Sequence, residues 1–163
     1  LCIFAILSTT FLSGCTGFGT GNNSSTSDAV QNNTDDSLTE SKDENNMEQA
    51  IEMIVNGHKF EISVYDNETA KAFCSVLPLT IEMKELNGNE KYHYLNTRLP
   101  SVASTVERIS CGDLMLYGSD CIVLFYKNFS TSYRYTKIGK VNNPEDLERV
   151  LGTQTVTITF QIR

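Results

Sequence analysis

Three regimes of polarity follow one another along the chain. Residues 1–12, LCIFAILSTTFL, are an apolar run. Residues 16–47 carry almost nothing to bury. From Ile51 onward apolar residues return at short, regular intervals. The period in this third regime is mostly two, the signature of strands with one buried face. Ile51–Val55 reads as a strand. Asn56-Gly57 is a strong hairpin signal, because both central positions of a type I′ turn need positive φ. Phe60, Ile62 and Val64 then alternate with Glu61, Ser63 and Tyr65. The period switches at Asn67–Leu77, where Ala70, Phe73, Cys74 and Leu77 fall on one helical face. Asn67 can cap that helix, Glu68 suits its first turn, and Pro78 ends it.

Alternation resumes over Leu79–Leu86, with Leu79, Ile81 and Met83 set against Thr80, Glu82 and Lys84. Asn87-Gly88-Asn89 is a turn, and Lys91–Leu95 a short strand. Arg98–Ser110 has no clean period and contains Pro100; it reads as a long loop with a short strand near Val106–Ile109. Gly112–Tyr126 is the most apolar stretch. Asp113–Tyr117 and Asp120–Tyr126 are expected to fold back on each other across a two-residue turn, Gly118-Ser119. Both strands are apolar on both faces. The hairpin should therefore lie in the middle of the sheet, one face on the interior and the other under a covering helix. Asn128–Ser132 is a polar loop, and Tyr133–Val141 a strand broken by Gly139. Asn143 as N-cap, Pro144 at the first helical position and acids behind them start a second helix. Leu147, Val150 and Leu151 form its inner face, and Gly152 stops it. Thr155–Ile162 is a last β-branched strand. The expected architecture is mainly β: about eight short strands closed into a small barrel, with two short helices capping its ends.

Charge sharpens the division. The formal net charge is −7 over 163 residues. Residues 16–50 hold seven acids and one lysine, whereas residues 51–163 are nearly balanced. No basic footprint for phosphate neutralisation exists, which excludes nucleic acid as a partner. A polar acidic segment cannot offset its ordering entropy, so residues 15–50 are expected to be a disordered tether. Its reach is on the order of 30–35 Å for about 35 flexible residues. The Gly17–Gly21 run, GFGTG, lacks the strand before it and the helix after it that a dinucleotide loop needs. No cofactor is implied, and no His, Cys, Asp and Glu spacing fits a zinc or calcium site.

The apolar run 1–12 has the length of a signal-peptide core and is too short to span a bilayer as a helix. Leu12-Ser13-Gly14-Cys15 follows it and resembles the lipobox of bacterial lipoproteins. The resemblance implies a signal peptide over residues 1–14, cleavage before Cys15 and a diacylglycerol on its thiol; an ordinary secretory peptide cut nearby is the alternative. Each buried CH₂ of such an anchor contributes roughly 0.8 kcal/mol. The implied location is the extracytoplasmic face of a bacterial cell membrane. Cys74, Cys111 and Cys121 remain in the domain of residues 51–163. With the turn at Gly118-Ser119, Cys121 faces Leu116 across the hairpin, and Cys111 has the parity of Asp113 and Met115 on the other face, so a Cys111–Cys121 disulfide would need another register. Three small, buried, unpaired apolar side chains is the simplest reading.

Several motifs in order resemble the bacterial cyclophilin-like domains of uncharacterised function: Asp66-Asn67-Glu68-Thr69-Ala70 after Phe60, Leu77-Pro78-Leu79-Thr80, Asn89-Glu90-Lys91-Tyr92, Gly112-Asp113-Leu114, Leu124-Phe125-Tyr126 and Ile138-Gly139. The likeness covers about residues 51–162 and implies an eight-stranded cyclophilin barrel. It does not carry over prolyl-isomerase chemistry. True cyclophilins place an Arg beside a proline pocket, with a Phe-His-Arg stretch and usually a Trp. This chain has no Trp and no Phe-His-Arg, and neither Arg98, Arg108 nor Arg134 matches by motif.

No catalytic residues are therefore assigned. The most site-like stretch is Tyr126–Thr136, which gathers three tyrosines, an Arg and hydroxyls around one loop. Tyr92, Tyr126, Ser132, Tyr133 and Arg134 are the candidate ligand-binding residues, with Glu90 and Lys91 as a polar clamp or, more simply, an ordinary surface pair at a turn. His93, between two tyrosines, reads as a packed or rim histidine. The expected function is a membrane-anchored module that binds a small molecule or a peptide. A diverged peptidyl-prolyl isomerase acting on exported proteins is the alternative, and a protein–protein platform a third possibility.

Overall fold

The computed structural model describes residues 47–163. The expected signal peptide, Cys15 and residues 16–46 lie outside them. The first hairpin joins β1 (Met47–Val55) to β2 (His58–Tyr65). Asn56 and Gly57 both have positive φ, +49° and +78°, as a type I′ turn demands. β1 begins upstream of Ile51 because its first residues pair with Tyr65 and Val64 through the backbone, past a bulge between Met47 and Gln49. Helix α1 (Glu68–Ser75) follows, and the Asn67 side chain accepts the Ala70 N–H at 2.9 Å as its cap. Next come β3 (Leu79–Leu86), β4 (Glu90–Tyr94), the two-residue strands β5 (Ser104–Thr105) and β6 (Arg108–Ile109), then β7 (Asp113–Tyr117) and β8 (Cys121–Phe125). The chain ends with β9 (Phe129–Ser130), β10 (Arg134–Val141), α2 (Leu147–Leu151) and β11 (Val156–Ile162).

The long strands pair in the order β2-β1-β11-β3-β4-β8-β7-β10, and β10 returns to β2. Every one of these pairings is antiparallel, so the sheet closes on itself as an eight-stranded barrel. Closure removes the exposed edges of an open sheet. Ile51, Met53, Ile62, Met83, Leu114 and Phe160 fill the interior and are fully buried. α1 covers the end where β2 finishes. Its Phe73 meets Phe160 edge-on at 5.5 Å, and Asn67 Nδ2 donates to the Lys137 carbonyl. α2 lies by the other end of β2, where Asn56 Nδ2 donates to the Val150 carbonyl at 2.9 Å.

β10 is continuous through Gly139. A bulge between Lys137 and Gly139 shifts its register on β7. A Cβ at Gly139 would sit 2.8 Å from both Ile62 Cγ2 and the Ser63 carbonyl oxygen, so the seam that closes the barrel needs glycine there. α2 starts later than expected. Leu147 N–H bonds to the Pro144 carbonyl in a tight turn, and Asp146 holds the cap position without a side-chain bond to the helix backbone, its carboxylate pairing with Arg149 instead.

The central hairpin corrects two expectations. Its loop is Gly118-Ser119-Asp120, with Tyr117 opposite Cys121 and Leu116 opposite Ile122. A one-residue change of register exchanges the faces of a strand. Cys121 therefore belongs to the outer layer with Met115 and Val123. Cys111 packs toward the interior for a separate reason: it precedes β7, in the turn at Gly112, where strand parity does not apply. Cys74, Cys111 and Cys121 are all free thiols; only Cys121 is fully buried, the other two half-buried. Nor does a helix among the described residues cover the hairpin's outer face. The ribbon of β6 and β9 does, through Ile109 and Phe129. Two-residue strands leave too short a pattern to be read from sequence.

Candidate functional site: a barrel wall with two buried charges and a parting of strands

β4 sends neighbouring residues to opposite sides of the wall, as any strand must. Lys91 points inward and is fully buried. Its Nζ donates to Glu85 Oε2 at 2.6 Å and to the Gln154 carbonyl at 2.7 Å, and lies 5.6 Å from the centre of the Tyr126 ring. Tyr126 Oη donates to the other Glu85 oxygen at 2.7 Å, and Gly88 N–H to that same oxygen at 2.8 Å. Burial and the bond to Glu85 push the Tyr126 phenol well above its usual range. Every strong partner in this network is used. It closes one end of the barrel, as a buried lysine needs in order to stay charged.

Glu90 points outward, yet it is only 7% exposed. It stands opposite Phe125 on β8. Phe125 packs on Phe129 at 5.6 Å and edge-on against Tyr135 at 5.4 Å. No described residue hydrogen-bonds or ion-pairs with the Glu90 carboxyl. Burial, and then the charge of Glu85, push its pKa up to about 7. Glu90 and Lys91 are thus neither a clamp nor a surface pair. Lys91 finds Glu85, its cross-strand partner on β3. Placing the turn at residues 87–89 sets those two opposite each other, so the sequence held that signal.

The concave site lies elsewhere on β4. β3 and β4 pair only from Leu86–Glu90 to Lys84–Tyr92. Beyond that the strands part. β3 runs back to Leu79 along β11, while β4 continues to Tyr94 along β8. The parting opens a cleft of about 460 Å³, within the size range of small-ligand sites. Val76, Leu79, Ile81 and Leu95 give it apolar walls, and Glu82 and His93 lie at its sides. His93 Nδ1 stands 2.8 Å from the Glu82 carbonyl oxygen, a side-chain bridge where the ladder has stopped. His93 is thus a rim histidine of a cleft that no sequence period announces.

The expected ligand-binding residues are distributed over both sides of the wall. Tyr126 is buried at the inner network. Tyr92 packs against the outer layer and meets Tyr94 edge-on at 5.9 Å. Tyr133 is partly exposed and meets Tyr117 at 6.1 Å, with Tyr135 beyond at 5.6 Å from Tyr117. Ser132 is exposed. Arg134 is exposed as well, and its Nη2 donates to the Ala103 carbonyl at 2.7 Å. Tyr92, Tyr133 and Arg134 therefore share the outer side, and Tyr126 is separated from them by the wall. Every arginine among the described residues is exposed. No trio of His, Cys, Asp or Glu converges among them as for a metal.

An antiparallel barrel of eight strands with a helix at either end defines the cyclophilin-like class of folds. The sequence model of the cyclophilin-like family matches residues 53–163, and the chain belongs to that family. Among solved structures it is similar to a hypothetical protein from Archaeoglobus fulgidus determined in solution. The identity is 18%, the TM-score 0.56, and the match covers 74% of this chain and 99% of that one. No curated protein matches the sequence.

Proposed function

We propose that the chain is a membrane-anchored, extracytoplasmic binding module whose cyclophilin-like barrel takes a small molecule or an extended peptide in the β3–β4 cleft. The observation that carries this reading is the parting of two strands around an apolar space of about 460 Å³. Strand edges beyond the end of the ladder supply directional groups, and the aliphatic walls supply affinity. The anchor rests on the signal-like run and on Leu12-Ser13-Gly14-Cys15. Binding is favoured over prolyl isomerisation because Arg98, Arg108 and Arg134 are exposed, and none stands in an apolar groove beside Phe and Met.

Amide NMR with short alternating apolar peptides and small aromatic fragments tests the site. Shifts gathered at residues 79–82 and 93–97, and lost in Ile81→Glu, are expected. Shifts confined to residues 126–134 would move the site to the tyrosine loop. Turnover in a proline-isomerisation assay that is lost on Arg134→Ala would replace binding with catalysis. Mass spectrometry of the mature N-terminus tests the anchor: a diacylated Cys15 is expected, and an unmodified one removes it.

A further inference from the structure

We propose that the β3–β4 cleft takes its ligand by strand addition: an extended peptide lays its backbone along β3, seats an aliphatic side chain inward and sets a basic side chain beside Glu82. This rests on the cleft being the binding site and names what fills it. The bond from His93 Nδ1 shows that the Glu82 carbonyl points toward β4. In a strand the N–H and C=O of one residue share a side, and those of the next residue turn to the other. The Glu82 N–H therefore points the same way, as do both backbone groups of Thr80. Ile81 and Met83 turn theirs toward β11, where they stand opposite Ile158 and Val156. The ladder with β4 ends at Lys84–Tyr92. Beyond it β4 keeps to β8, and the Leu95 N–H is used on the Asp120 carbonyl. The Thr80 N–H, the Thr80 carbonyl and the Glu82 N–H thus face the cleft with no bonding partner among the described residues. A row of open backbone groups is a template for another strand.

Alternation sets the side chains of the added strand. Its residues turn inward and outward in step with β3. Inward, Leu79, Ile81 and Leu95 wall the cleft, and an aliphatic side chain fits among them. Outward, Thr80 and Glu82 are exposed, and their neighbours on β11 are Thr159 and Thr157. Glu82 forms no ion pair among the described residues. Lys84, the next outward residue of β3, already stands within the ladder opposite Tyr92. A cross-strand position beside such a carboxylate favours Lys or Arg. His93 occupies the Glu82 carbonyl and closes the cleft at that end, so the addition is short. Directional groups spaced along one strand match a peptide backbone better than a compact small molecule.

Amide hydrogen exchange in the intact chain tests the addition, with an acetylated, amidated hexapeptide of alternating leucine and lysine as the probe. In the free protein the Thr80 and Glu82 amides should exchange fast, and the Ile81 amide, turned to β11, slowly. With the peptide at about ten times its Kd, exchange at Thr80 and Glu82 should slow about tenfold, because only the unbound fraction exchanges. N-methylation of the leucines in one copy, and of the lysines in another, removes the donors of one backbone edge at a time. At least one copy should bind about tenfold more weakly; unchanged affinity in both overturns the addition. Glu82→Lys should weaken the lysine peptide about two- to fivefold and favour a leucine–glutamate peptide instead. The same preference in variant and wild type overturns the basic side chain. Shifts at residues 79–82 and 93–97 without protection of Thr80 and Glu82 would overturn strand addition and leave the cleft as the site. No shifts there with either the peptides or small aromatic fragments would overturn the cleft itself.

Discussion

Glu90 and Lys91 are neighbours in the chain, both buried, and the wall of the barrel separates their fates. Lys91 enters the interior and meets a carboxylate, a carbonyl and an aromatic face there. Glu90 enters an outer layer of Phe125, Phe129 and Tyr135 and meets no donor among the described residues. A charge is kept in a protein interior by partners, and without them it is given up. The inner side therefore holds an ion pair, and the outer side a neutral acid that solvent pH can ionise. The inner polar cluster is a fixed part of the barrel. The outer one is conditional.

The largest expected effect comes from breaking the satisfied side. Lys91→Ala leaves Glu85 without its cation and empties a fully buried volume; removal of one member of a buried pair costs about 3–5 kcal/mol. Urea unfolding measures it, and a loss below about 1 kcal/mol would mean that solvent already serves Glu85. Relieving the unsatisfied side has the opposite sign. A carboxyl with a raised folded pKa contributes stability below its unfolded value of 4.5, and loses it as pH rises through about 7. Glu90→Gln should thus match the wild type near pH 4 and exceed it at pH 8, by up to about 3 kcal/mol. Equal stability differences at both pH values would contradict the comparison. The smallest change is Tyr126→Phe, which removes one charge-assisted bond to Glu85 and should cost about 1–2 kcal/mol. Its effect should shrink in the Lys91→Ala background, because the two side chains share the Glu85 carboxylate.

What the sequence could say about this wall depends on the range of the signal. Period-two alternation, Asn56-Gly57, the Asn67 cap and the face formed by Ala70 and Phe73 are local, and they define the barrel strands and first helix. The central loop was ambiguous by one residue because Gly118 serves either turn. That single step moves Cys121 from the face of Leu116 to that of Met115. The β5, β6 and β9 pieces have two residues each and no period to detect. The site was the least legible part. Strand alternation sends Glu90 and Lys91 to opposite sides of the wall, so they form neither a clamp nor a surface pair. The Tyr126–Arg134 loop looked like one cluster because its residues are close in sequence, while the wall divides them. The β3–β4 cleft arises where pairing stops, and only the register of both strands reveals it.

The state of one proton tests the contrast most directly. Carbon-detected NMR of the Glu90 side-chain carboxyl, followed from pH 4 to pH 9 in the intact domain, reports it without a mutation. The account predicts a midpoint near 7. A midpoint near the ordinary 4.5 would show that Glu90 is already hydrated or paired. The outer layer would then be as settled as the inner one.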